Sequence, residues 1–199
     1  GLATGEIAFT FSVVFSLLEN WEGKQNNEKI MSAIRERIIK PYRLSTGHQK
    51  INKNAWWYSS TNNWNTVCNG GILCLALYLN KQGEDVEDII TTSLDGLDIY
   101  INNFHEDGSS EEGIGYWQYG IMFLTYALLS YEKHTVNSHP AFEKSAFKDG
   151  LTFPFDFSPD GVGISFGDVN YFTPVGILYG LADRAGQKQI VSEITKRYI

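Results

Sequence analysis

The sequence predicts an all-α fold that carries one short β-hairpin, and three observations lead there. Apolar residues recur at three- and four-residue spacings along most of the 199 residues. Pro41 and Gly83 punctuate the chain between such stretches, as helix breakers do. Only near 151–166 does the spacing change to two, with Leu151, Phe153, Phe155 and Phe157 before Ser158-Pro159-Asp160-Gly161, and Val162, Ile164 and Phe166 after it.

Taken in order, Glu6 to Trp21 reads as a helix with Ile7, Phe11, Val14, Phe15 and Leu18 along one side. A buried strand over Phe9 to Phe15 is the alternative, because that run is rich in β-branched and aromatic residues. Asn27 to Ile39 is an amphipathic helix with Ile30, Ile34 and Ile38 inward and Glu28, Lys29, Arg35 and Lys40 outward, stopped by Pro41. A polar, irregular stretch then brings in Trp56, Trp57 and Tyr58 ahead of an apolar helix from Asn62 to about Asn80. Beyond Gly83 a helix covers Val86 to Phe104, marked by Ile89, Leu94, Leu97 and Ile101. The turn from His105 to Ser110 leads to a further apolar helix ending near Tyr131. After the hairpin come helices from about Tyr171 to Ala182, capped by Asp168 or Asn170, and from Lys188 to Tyr198.

A chain of this length, 43% hydrophobic and 14% aromatic, buries a substantial core, and a single domain is expected. Five Trp, 11 Tyr and 12 Phe are suited to stacking on sugar faces. A net charge of −7 argues against a nucleic-acid partner. Cys68 and Cys74, about 9 Å apart along one helix, point in different directions and lack metal-site spacing, so neither a disulfide between them nor a bound metal is expected. The apolar run Ile7 to Leu18 is too short to span a bilayer, so no membrane partner is expected. Starting at Gly1 without Met, the chain reads as processed or as a fragment.

Chemistry concentrates in two clusters. In the first, Asn62, Asn65 and Asn69 fall on one face of the helix that also carries Val67, Ile72 and Leu75. A buried amide left unpaired costs roughly 1–3 kcal/mol, so protein groups or a polar ligand must satisfy this face. Asn62 or Asn63 also suits a helix cap, which leaves the other amides to explain. In the second cluster Glu112, Tyr116 and Tyr119 are spaced four and three apart, and two phenols beside a carboxylate form either a proton relay or a hydrogen-bonded strut. The chain has no phosphate loop, HExxH pattern or nucleophile elbow, and its four histidines are scattered.

The run Asn62-Asn63-Trp64-Asn65-Thr66-Val67-Cys68-Asn69-Gly70-Gly71 is followed by Asp107-Gly108. Glu112-Gly113-Ile114-Gly115-Tyr116-Trp117-Gln118-Tyr119-Gly120 comes next, and then Ser165-Phe166-Gly167-Asp168. In this order and spacing they resemble the helical domain of heparinase II/III-type polysaccharide lyases over roughly Trp56 to Asp168. The resemblance implies a partial (α/α) toroid of helical hairpins spanning 1–199, lacking the C-terminal β-sandwich that completes the site in such enzymes. It implies β-elimination at a uronic acid of a polysaccharide substrate, without a cofactor. By position Asn63 would hold the substrate carboxylate and Tyr116 would donate the proton, with Tyr119 as its alternate. Asn62, Trp64, Asn65, Trp56, Trp57, Glu112 and Trp117 would bind substrate. Trp64 stands where such lyases often have a histidine, and their second histidine and zinc ligands lie in the sandwich, so the isolated chain is expected to be inactive. Two other readings stay open: a toroid hydrolase using a carboxylate pair drawn from Asp107, Glu112 and Asp168, and a non-catalytic glycan-binding or structural helical domain.

Overall fold

Helix follows helix through the computed structural model, which describes residues 1–18, 27–47, 53–159, 162–164 and 173–198. The first helix, α1, covers Leu2–Leu17. Asn27–Ile34 runs through a π-helical turn at Arg35–Ile39 into Lys40–Thr46, and together these form α2. Pro41 was expected to end this helix. Instead it lies in the first turn after the π-helical segment, where the backbone ladder is already interrupted and its missing N–H costs little. A kinked 3-10 segment, Lys53–Ser59, leads to α3, built from Asn63–Asn65, a second π-helical turn at Thr66–Gly70, and Gly71–Lys81. Then come α4 (Glu87–Asn102) and α5 (Ile114–Thr135). Short helical turns at Pro140–Glu143 and Gly150–Thr152 flank α6 (Ser145–Asp149) and precede α7 (Phe153–Asp156), and α8 (Gly176–Arg184) and α9 (Lys188–Tyr198) follow.

The all-α class holds, but the strand expected over Leu151 to Phe157 is helical. Leu151, Phe153 and Pro154 are buried there, and Phe153 packs edge-on against Trp117, 5.9 Å between ring centres, and against Phe157. The alternating phenylalanines thus satisfy neighbouring helices. In the expected second arm the Ile164 N–H donates to the Phe157 carbonyl, and Phe166, Asp168 and Asn170 lie outside the described residues.

The fold is arranged around α3, where Val67, Leu73, Leu75, Ala76 and Leu79 are fully buried. Burial of each large aliphatic side chain is worth roughly 1.5–3 kcal/mol, so this helix anchors the core. Its neighbours come close because glycines line the crossings. A Cβ on Gly71 would lie 2.1 Å from the Gly5 carbonyl oxygen of α1, so only backbone fits between the two helices. Gly5 meets Gly71 and Phe15 stacks on Tyr78 further along, which makes α1 parallel to α3. Gly70 beside Phe123, with the Cys74 thiol 3.7 Å from the Ser130 hydroxyl, makes α5 parallel to it as well. The outer helix α4 runs the other way, from Asn80–Glu87 contact at one end to Gly96 against Asn69 at the other. The start of α3 and the start of α5 therefore lie at one end of the molecule, beside the start of α1.

Candidate functional site

That shared end is where the asparagine stretch begins. Asn62 caps α3: its side-chain oxygen accepts from the Trp64 N–H at 3.2 Å and from the Ser60 hydroxyl. Asn63, next in the chain and 3% exposed, binds Glu112 at two points. Its backbone N–H donates to Oε2 at 2.9 Å and its Nδ2 to Oε1 at 3.1 Å. The carboxylate answers one of the N–H groups a helix start leaves open and fixes the amide's rotamer at the same time. Burial raises the Glu112 pKa, opposed by the two Asn63 donors.

The remaining amides of the cluster are satisfied by the protein. Asn65 and Asn69 are both fully buried. Asn69 Nδ2 donates to Asn65 Oδ1 at 3.0 Å, and Asn65 Nδ2 reaches the carbonyls of Tyr58, Ser60 and Gly96, each at 2.9 Å. The chain continues outward: the Tyr42 hydroxyl donates to Asn69 Oδ1 at 2.9 Å and accepts from the Ser93 hydroxyl at 3.1 Å. This network ties α2, α3, α4 and the Trp57–Tyr58 segment together, and burial pushes the Tyr42 pKa far up, so that its proton stays on. Asn65 therefore sits among backbone carbonyls, away from any cleft.

Glu112, Tyr116 and Tyr119 do not share one face. Gly113, at φ 89, breaks the backbone before α5 begins at Ile114, so Glu112 turns to Asn63 while the tyrosines follow the helix. The Tyr119 hydroxyl donates to Glu6 Oε1 of α1 at 2.5 Å, and burial together with that carboxylate drives its pKa up. Tyr116 is 40% exposed. It lies one turn before Gly120, where an added Cβ would fall 3.4 Å from both Asn63 Cβ and Thr66 Oγ1.

The tryptophans divide into two groups. Trp117 is 1% exposed and its indole N–H donates to the Gly108 carbonyl at 2.9 Å, while Trp57 is buried against Tyr42. Trp56 is 51% exposed and pairs with Trp64, 4.9 Å between ring centres. Trp64 is half-buried, and the pair precedes and opens α3, next to the Asn63 end.

Between the start of α3 and the 105–112 loop lies a cleft of about 440 Å³, lined by Asn62, Asn103, His105, Ser110, Glu111 and Glu112 among others. The loop is held from below. Gly108, at φ 71, packs so closely on Ala146 and Gly150 that a Cβ would fall 2.1 Å from the Ala146 carbonyl oxygen, and Trp117 grips the Gly108 carbonyl. Asp107 accepts from the Ser109 N–H at 3.0 Å, which holds its pKa below the usual carboxylate value. Asp168, the other carboxylate considered for hydrolysis, lies outside the described residues.

Glu6, Tyr42, Ser93 and Gly96 escape a reading of the sequence alone, since each acts through a partner far along the chain. Among the described residues no group of three or more His, Cys, Asp or Glu side chains could hold a metal ion, and no helix is long and apolar enough to cross a membrane. Burial raises the Cys68 thiol to about 11 and Cys74 to about 12, so both stay protonated. No protein-family model matches this chain, and no curated protein does.

Proposed function

We propose that this chain is the helical part of a polysaccharide lyase-like protein that cleaves uronate-containing glycans by β-elimination. The observation that carries the proposal is the two-point grip of Glu112 on Asn63, with the exposed Tyr116 in the first turn of the helix that follows Glu112. Elimination needs a group that withdraws charge from the uronate carboxylate, so that the C5 proton becomes acidic. It also needs a base for that proton and an acid for the departing glycosidic oxygen. Glu112 engages one Nδ2 hydrogen of Asn63, and the second has no partner among the described residues, so it is the donor offered to a substrate carboxylate. In this reading the Tyr116 phenolate takes the C5 proton and returns it to the leaving oxygen as the C4–O bond breaks, so one residue closes the proton balance. Tyr119 is left out of proton transfer because Glu6 already accepts its hydrogen. The exposed Trp56, backed by the half-buried Trp64, supplies a stacking surface for an adjoining sugar. Three parallel inner helices with an antiparallel outer one are the arrangement that a toroid of helical hairpins repeats, which supports that architecture.

One observation favours a second reading. The raised carboxyl of Glu112 in a cleft wall is what a glycosidase uses as its general acid. Incubation of the full-length parent protein with a panel of uronic-acid polysaccharides separates the two. The lyase reading expects ultraviolet absorbance of a 4,5-unsaturated uronate that Tyr116→Phe abolishes. New reducing ends without that absorbance overturn it in favour of hydrolysis.

A further inference from the structure

We infer that the cleft between the start of α3 and the 105–112 loop is a subsite for an uncharged, unsulfated sugar of the glycan chain. The inference rests on the reading above and specifies the substrate for the same site, because Asn62 and Glu112 belong to both. The cleft holds about 440 Å³, within the range of small-ligand pockets and ample for a hexose ring. Its wall offers amides and hydroxyls, from Asn62, Asn103, Ser109 and Ser110, which pair with sugar hydroxyls as donor or acceptor. Phe104 lines it too and gives an apolar face for the ring's C–H side.

Its charges decide the class of sugar. Two carboxylates, Glu111 and Glu112, line the cleft, and among the described residues no Lys or Arg does. Among the described residues the one basic side chain lining it is His105, whose Nε2 lies 4.0 Å from Glu111 Oε1. Lys144 reaches the neighbouring Asn102 at 2.6 Å but does not line the cleft. Sulfate and carboxylate groups on sugars are gripped by the forked donors of Arg or the point charge of Lys. A wall of carboxylates without such cations repels them and accepts hydroxyls. The wall is also preformed: Trp117 and the left-handed Gly108 pin the loop from within the core. A sulfated sugar cannot recruit a cation here by rearranging the loop without breaking those contacts.

The test uses matched pairs of uronate oligosaccharides that differ only in sulfation of the non-uronate sugar, titrated at low salt by calorimetry. The unsulfated member should bind at least about tenfold more tightly, as expected for one like-charge contact near a protein surface, and the gap should narrow as salt is added. Glu111→Lys should close or reverse the gap. Equal or tighter binding of the sulfated member, no binding of either, or a ratio unmoved by Glu111→Lys overturns the inference. Product chemistry keeps the two readings apart. An unsaturated product formed equally fast from both members sinks the subsite alone. If neither member gives an unsaturated product while the binding preference is present, elimination fails and the subsite stands.

Discussion

Gly96→Ala perturbs the buried asparagine network directly. A Cβ at that position would sit 2.5 Å from Asn69 Nδ2 and 2.8 Å from its Cγ, inside a fully buried amide. The Asn69 side chain must move, and three contacts go with it: its bond to Asn65 Oδ1 at 3.0 Å, its bond to the Tyr58 carbonyl at 3.3 Å, and the one it accepts from the Tyr42 hydroxyl at 2.9 Å. Buried polar groups left without partners cost roughly 1–3 kcal/mol each, so the disrupted network costs about 3–5 kcal/mol. Against this, Ala in a helix interior is better than Gly by about 1 kcal/mol. The net loss is about 2–4 kcal/mol, or a drop in Tm of about 5–15 °C for a domain of this size. Gly180→Ala is the matched control, since it lies in α8 with nothing within 4 Å of its added Cβ, and it should gain up to about 1 kcal/mol. Urea unfolding followed by circular dichroism measures both. A Gly96→Ala protein as stable as the parent would refute the claim that these asparagines form one interlocked network.

Other substitutions probe the site and its supports. Trp117→Phe leaves the buried Gly108 carbonyl without its indole donor and should cost about 1–3 kcal/mol in urea unfolding, with faster hydrogen exchange over the 105–112 loop. Glu112 titrates above its ordinary 4.5 in the folded protein, so the folded state binds the extra proton, and its contribution to stability falls as pH rises from that value through the folded one. Glu112→Gln should remove that slope, so the stability difference between variant and parent should shift in the variant's favour as pH rises from 4.5; a constant difference would contradict the raised pKa. Trp56→Ala, at an exposed position, should change stability by less than about 0.5 kcal/mol yet weaken glycan binding about tenfold by calorimetry.

Much of the helical order was legible from spacing alone, because α3, α4 and α5 each bury residues at three- and four-residue intervals. The shared face of Asn65 and Asn69 was legible too, and these two do bond to each other. What spacing cannot supply is the identity of long-range partners. The Gly96 carbonyl, the Tyr42 hydroxyl and Glu6 lie 31, 27 and 113 positions from the groups they bind. The alternation from Leu151 to Phe157 misled because a short helical turn beginning near Pro154 can bury phenylalanines on several sides at once. Glu112, Tyr116 and Tyr119 were read as one face on the assumption of unbroken helix. Gly113, with its positive φ, divides them and sends the carboxylate to Asn63.

The claim at the centre of this account is that the Asn63 amide meets a uronate carboxylate. Side-chain amide resonances of the protein, titrated with an unsulfated uronate oligosaccharide and then with its carboxyl-reduced counterpart, test it most directly. The account predicts that the Asn63 amide shifts with the uronate and stays in place with the reduced sugar. A shift of equal size with both, or an Asn63 signal unmoved while Trp56 and Trp64 respond, would contradict it.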